Sequence, residues 1–224
     1  MRTCGKLAGG LAAAGMVLSG AAIAQQPTPY IGILGGAGFL RDADNTGSNV
    51  TLTSSYKTGY NVGLVAGEDL GNNWRFEGEF DYRRSDLDKL RLTDVTALGL
   101  GAYNGMTVPA TGHVRTMDLM ANGWYDFPVG GGWTPYIGGG LGVANIKLKD
   151  VGFQGQPAFI NDSGNFLAYQ LGAGLGYDIT PRTTVSVDYR YFATANPTFT
   201  MVDGTSFDSE ARGNNVDLSL RYRF

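Results

Sequence analysis

Nine ionisable residues pose the chemical question in this sequence. Arg75, Glu77, Glu79 and Asp81 occupy alternate positions of one stretch, and Asp118, Asp188, Arg190, Arg221 and Arg223 occupy alternate positions of others. In a strand every second side chain points to the same face. These groups therefore share a face, opposite the apolar and aromatic residues between them. Acids and bases on one face can line an ion path, or they can pair and neutralise one another. Pairing is expected where the face is closed off from water, because a lone buried charge is costly. Hydrolysis is the third chemistry to weigh. His113 is the only histidine, and Ser85 and Ser163 fall near one expected rim. A nucleophile, a base and an orienting acid must touch, and no motif brings these residues together. G-x-S-x-G, CxxC, H-E-x-x-H and P-loop patterns do not occur. Asp42-Ala-Asp44-Asn45 is too short for an EF-hand loop. The expectation is no catalysis, no metal and no cofactor.

The elements that must position these residues read as strands. The clearest is the terminal one. Val216, Leu218, Leu220, Tyr222 and Phe224 fall on one face, and Asp217, Ser219, Arg221 and Arg223 on the other. An edge strand this apolar invites aggregation, so it is expected to pair with the first strand and close a barrel. Seven further strands are predicted at 30–40, 58–69, 74–84, 112–127, 133–146, 165–179 and 183–192. Short turns join them at 70–73, 128–132 and 180–182, and long polar loops at 41–57, 85–111, 147–164 and 193–211. Long and short connections alternate, as in barrels that cross a membrane with external loops and short inner turns.

Composition narrows the class. Of 224 residues 35 are glycine, without a G-X-Y period, and 12% are aromatic, which excludes collagen and a disordered chain. Residues 1–24 read as a secretory leader: Arg2 and Lys6, a short apolar run from Leu7 to Leu18, and small residues at Ala22 and Ala24 before a cut. Cleavage after Ala24 removes the single cysteine, Cys4, and leaves 25–224 as the barrel domain. The formal charge of −3 includes the two basic leader residues, so the mature chain carries −5. No basic patch stands out along the sequence, and nucleic acid is not an expected partner. No later stretch reaches 18 consecutive apolar residues, which excludes a helical span but not a barrel.

Glycine decides which face looks outward. Gly138, Gly140, Gly142, Gly172, Gly174 and Gly176 lie on the polar set. Each costs about 0.5–1 kcal/mol against alanine in a strand. A solvated face has no use for that cost, whereas a narrow interior needs room for long polar side chains. The charged set therefore points inward, and the Leu, Val and aromatic set faces lipid. Eight strands leave an interior only wide enough for side chains, so a salt-bridged plug is expected over an ion path. Tyr30, Trp74, Phe127, Trp133, Tyr177 and Phe224 at the short-turn side, with Tyr60, Tyr82, Tyr191 and Phe192 toward the long loops, read as two interfacial girdles.

On these residues the chain resembles the small eight-stranded outer-membrane barrels of Gram-negative bacteria, the OmpA/OmpX-like surface proteins. The resemblance spans 25–224. It rests on Thr134-Pro-Tyr-Ile-Gly-Gly-Gly-Leu-Gly142, on the hairpin Gln170–Tyr191 and on Tyr222-Arg-Phe224. It implies an all-β, eight-stranded antiparallel up-and-down transmembrane β-barrel in the outer membrane, in contact with lipid and lipopolysaccharide. It also implies that Val216, Leu218, Leu220, Tyr222 and Phe224 are read by the barrel-assembly machinery. OmpA continues into a peptidoglycan-binding domain and this chain does not, so a cell-wall tether is not expected. The expected role is non-enzymatic: envelope integrity, or contact through the loops with an extracellular partner that the sequence does not identify. A narrow solute channel and a lipid A-modifying hydrolase are the alternatives.

Overall fold

The computed structural model describes residues 27–224 apart from 48–49, 97–100, 156–157, 159, 196–197, 201–205 and 210. The leader, with its cleavage point at Ala24, lies outside the described residues. Among the described residues twelve strands run in chain order: β1 Thr28–Leu40, β2 Ala43–Gly47, β3 Val50–Tyr56, β4 Gly59–Asp69, β5 Trp74–Asp94, β6 Thr107–Asp126, β7 Trp133–Phe153, β8 Ile160–Thr180, β9 Thr183–Thr194, β10 Thr198–Thr200, β11 Ser206–Ser209 and β12 Arg212–Arg223. Among the described residues no helix is long and apolar enough to cross a membrane.

Eight of these strands form a closed antiparallel ring, β1-β4-β5-β6-β7-β8-β9-β12 and back to β1. The terminal strand closes it, with Leu220 opposite Ile33 and Val216 opposite Ala37. The ring is staggered. From Ala37 the ladder partners run through Val216, Tyr189, Ala173, Ile137, Tyr125 and Trp74. Trp74 bonds to Leu70, ten residues along the chain from Tyr60, the partner of Ala37. A shift of that size in eight strands corresponds to a strand tilt of about 40°. The short turns lie at one end. Asn73 there takes a positive φ of 70°, and Gly130, Gly131 and Gly132 take φ of 89°, 63° and 83°, which only glycine adopts without strain in such a run.

The outer wall over the lower part of the ring is apolar. Ile33, Leu64, Phe80, Leu119, Val143, Leu167 and Leu218 are all exposed, Leu167 to 69%. At the turn end Trp74 packs edge-on to Tyr125 at 5.0 Å, Trp133 lies 4.7 Å from Tyr177, and Tyr222 lies 5.7 Å from Phe224. At the far end Tyr60 faces Tyr82 at 6.3 Å. Two residues leave the expected girdles. Tyr30 and Phe192 point into the lumen and are buried. Both lie near a strand end, but the parity of their strands sends them inward, with Leu34 and Arg190 rather than with Ile33 and Tyr191.

The long loops read from the sequence are largely strand, which corrects that expectation. Residues 85–94 continue β5, 107–111 begin β6, 147–153 continue β7 and 160–164 begin β8. Within 41–57, β2 and β3 form a hairpin that joins the edge of β5, and within 193–211, β11 pairs with β2 and β10 with β11. The cause is a change in which face is apolar. Above the lipid-facing belt, Leu87, Leu90, Leu92, Val114, Ile146, Val151 and Ile160 point inward into one buried cluster with Met120, Ala144 and Phe192. Lys89, Arg91, Lys147 and Lys149 point outward. Bulges between Asp86 and Lys89 on β5 and at Asp150 on β7, where φ is 53°, shift the alternation of those strands by one. The period is therefore broken where the polarity reverses.

Candidate functional site in the barrel lumen

The ring places the inward groups of all eight of its strands in one narrow space. At the turn end Glu77 is the hub. Tyr30 Oη and Trp124 Nε1 each donate to its carboxylate at 2.7 Å, and Arg75 Nη1 stands 3.9 Å away. Arg75 spends its fork on Asp126, with Nε–Oδ2 at 2.7 Å and Nη2–Oδ1 at 2.9 Å. A bidentate pair of this kind holds planar geometry as well as charge. Trp124 fits because β7 and β8 carry glycine there. A Cβ on Gly138 would come within 2.6 Å of its ring, and one on Gly172 within 3.0 Å. The interior glycines thus make room for Trp124, Tyr136, Asn122 and Met120, rather than chiefly for arginine and glutamate.

One layer higher, Arg190 Nη1 donates to Glu79 Oε2 at 2.5 Å and also lies 3.7 Å from Asp188 and 3.7 Å from Asp217. Its guanidinium stands 5.2 Å from the Trp124 ring. Asn122 Nδ2 donates to the same Glu79 oxygen at 2.8 Å, and Gln170 Nε2 donates to Asn122 at 2.8 Å. Tyr136 donates a short hydrogen bond to Asp188. Above this, Arg83 bridges Asp81 and Asp118 at 3.0 Å each, with Glu79 at 3.8 Å, and lies over the Phe192 ring at 4.3 Å. Glu79, Asp81 and Asp118 bring carboxylate oxygens within 4.8 Å of one another, the spacing of a metal site. The Arg83 guanidinium stands among them and supplies the positive charge a cation would bring.

Of the nine ionisable residues singled out above, seven belong to these layers. Arg221 is buried but stands between the rings of Tyr30 and Tyr136, 5.7 Å from each, and donates to Ser186 Oγ at 3.4 Å. Among the described residues it has no carboxylate within ion-pair distance. Arg223 lies lower, at the turn-side rim, paired with Asp178 at 3.2 Å and partly exposed. The nine omit Arg83, Asp126 and Asp217, and the neutral partners Tyr30, Trp124, Tyr136, Asn122 and Gln170. Their parity was the available signal, since each alternates with outward apolar residues on its own strand.

The lumen holds little free space here. A gap bounded by Leu34, Arg75, Glu77, Trp124 and Arg221 measures about 10 Å³, no more than a single water needs. A second cavity of about 50 Å³ lies above it, among Leu40, Tyr56, Val114, Ile146 and Phe192.

The hydrolase candidates are separated. Ser85 points inward and is buried, whereas His113 lies on the outer face of β6, opposite Asp86 and Lys149. Ser163 pairs with Lys147, on the far side of β7. Burial, with the positive charge of Arg84 and Arg115, holds His113 below the ordinary histidine value. On the terminal strand Val216, Leu218, Leu220, Tyr222 and Phe224 are all exposed on the outer wall.

Comparison with known proteins places this architecture. The family model described as outer membrane protein beta-barrel domain matches residues 10–224. The outer membrane protein PagN of Salmonella typhimurium is 25% identical over 190 residues, which is 79% of this chain and 77% of PagN. The crystal structure of OprG from Pseudomonas aeruginosa superposes with a TM-score of 0.59 at 14% identity, covering 88% of this chain and 96% of OprG. Neisserial surface protein A superposes with a TM-score of 0.52 at 17% identity, covering 89% of this chain and all of that one.

Proposed function

Because the chain belongs to the outer membrane protein β-barrel domain family, we propose that it is a non-enzymatic barrel of the outer membrane with a closed lumen, serving envelope integrity or surface contact through its strand-built outer end. The observation that carries this reading is the stacking of two seals. The lower one is the stack of paired layers in which Glu77 meets Arg75, Glu79 meets Arg190 and Asp118 meets Arg83. The upper one is the apolar cluster of Leu90, Val114, Ile146 and Phe192. An ion crossing the lumen would have to displace the first and desolvate in the second, and an unpaired charge in an apolar environment costs several kcal/mol.

The separation of His113 from Ser85 supports the absence of hydrolysis. A leader cut after Ala24, insertion by the barrel-assembly machinery through the terminal strand, and an extracellular partner for the outer end complete the reading. The test is conductance in planar bilayers with the purified chain. Inserted protein is expected to give no discrete steps above the bare membrane. Reproducible unitary steps would replace the plug with the channel reading. A changed lipid A mass after expression would replace it with the hydrolase.

A further inference from the structure

Outside the lumen, the outer wall carries a charge pattern that the chain order hides. Arg84 of β5 is the ladder partner of Arg115 of β6, and Arg115 is the partner of Lys147 of β7. All three point outward. The next outward row holds Asp86, His113 and Lys149. Like charges directly opposite on neighbouring strands repel and destabilise the sheet, and here three stand in line. Arg84 alone is balanced, by Asp86 at 3.3 Å. Among the described residues neither Arg115 nor Lys147 has a carboxylate within ion-pair distance, and Arg115 Nε is buried without a hydrogen-bond partner.

The height of the row narrows the occupant. On their own strands Arg84 is the next outward residue above Tyr82, Arg115 the next above Met117, and Lys147 follows Val143 and Asn145. Successive outward positions are about 7 Å apart along a strand. The bases therefore begin where the lipid-facing belt stops, at headgroup level, and Ser163 ends the row on β8. Tyr60, an exposed ring on β4, flanks it at the other end, opposite Arg84.

We propose that the outward row Arg84–Arg115–Lys147 is a binding site for the phosphate of an outer-leaflet glycolipid, its acyl chains lying on the apolar wall of Phe80, Leu119 and Val143 below. This rests on the reading that the long-strand end of the barrel faces outward; it is independent of whether the lumen conducts. A phosphate between Arg115 and Lys147 removes the repulsion within the row and gives the Arg115 guanidinium charge-assisted acceptors. A soluble polyanion would offer the same charge but no chains for the wall, so the location favours a lipid.

The test uses the full-length mature protein in phosphatidylcholine nanodiscs doped with phosphorylated lipid A or with its dephosphorylated form, and native mass spectrometry to count the lipid A retained per barrel. The wild type is expected to retain the phosphorylated form selectively. A basic residue near a membrane surface contributes about five-fold in affinity, so the combined variant Arg84→Gln, Arg115→Gln, Lys147→Gln should lose on the order of a hundred-fold. Lys89→Gln, which removes a base outside the row, should retain lipid A like the wild type. The heat-modifiable gel shift checks that each variant is folded. If the triple variant fails to fold, Arg115→Gln alone is read for its five-fold loss. Equal retention of the two lipid A forms, or retention by the folded triple variant at the wild-type level, overturns the proposal. So does a sulfated oligosaccharide that binds equally well in the absence of lipid.

Discussion

Replacing Arg190 with alanine probes the lower seal most directly. Its guanidinium donates to Glu79 at 2.5 Å, approaches Asp188 and Asp217 at 3.7 Å each, and stands over Trp124. Its side chain is 5% exposed, and those of Glu79, Asp188 and Asp217 are no more than 1% exposed. Arg190→Ala therefore removes the charge that faces three buried acids. Glu79 keeps Asn122, and Arg83 at 3.8 Å, whereas Asp217 loses its nearest cation. Breaking a buried pair from one side costs about 3–5 kcal/mol. With a urea slope near 2 kcal/mol per molar, the unfolding midpoint in lipid vesicles, followed by tryptophan fluorescence, should fall by about 2 M. Glu79→Gln alone should also destabilise, because Arg190 then loses its shortest contact. In the Arg190→Ala background the same change should restore stability, since it removes an orphaned charge, and the cycle should show a coupling of about 1–3 kcal/mol. An Arg190→Ala midpoint equal to wild type, with no coupling, would mean that water screens these groups, and the closed-lumen argument would fail with it.

Leu220→Arg puts a charge on the lipid-facing wall near mid-height and should cost about 2–4 kcal/mol in vesicles. Ser219→Arg enters the crowded lumen beside Arg221 and should lower the midpoint by overpacking and like charge; a harmless Ser219→Arg would argue against a filled lumen. Deleting Phe224 should leave refolding in detergent and the gel shift intact while reducing the yield in the outer membrane of living cells; full yield would show that the terminal aromatic is not an assembly signal. His113, the single histidine, should titrate by NMR below the ordinary value of about 6.5. Arg115→Gln should move that midpoint upward, and an unchanged midpoint would show that the basic row does not act on the imidazole.

Period-two alternation carried most of the ring. The pairing of the first and last strands, the three short turns and the apolar outer wall were all legible, because lipid outside and charge inside impose one rule on every strand. The same rule concealed the rest. Where the wall rises out of lipid the rule reverses, so Lys89, Arg91 and Lys149 looked like loop residues rather than the outer face of a continuing strand. The bulge at Asp86 compounds this by spacing Leu87 and Leu90 three apart. Tyr30 and Phe192 were misplaced because nearness to a strand end was weighed above parity. Arg84, Arg115 and Lys147 are about thirty residues apart in the chain and become neighbours only through the ladders, so no local window could show a basic patch.

The reversal of polarity along β5, β6, β7 and β8 means that one continuous sheet is folded by two solvents. In the lower part lipid rewards the outward leucines and the interior must be neutralised pair by pair. In the upper part water drives the inward leucines together, as in the core of any soluble protein. Detergent exchange should therefore disturb the lower part first. Urea, which solvates apolar groups and peptide alike, acts directly on the upper part. The strand crossing between them hands the stability of each solvent's product to the other. The outer end can thus stay ordered above the membrane with no lipid to hold it, anchored by four strands whose ladders resume after each bulge on the way up.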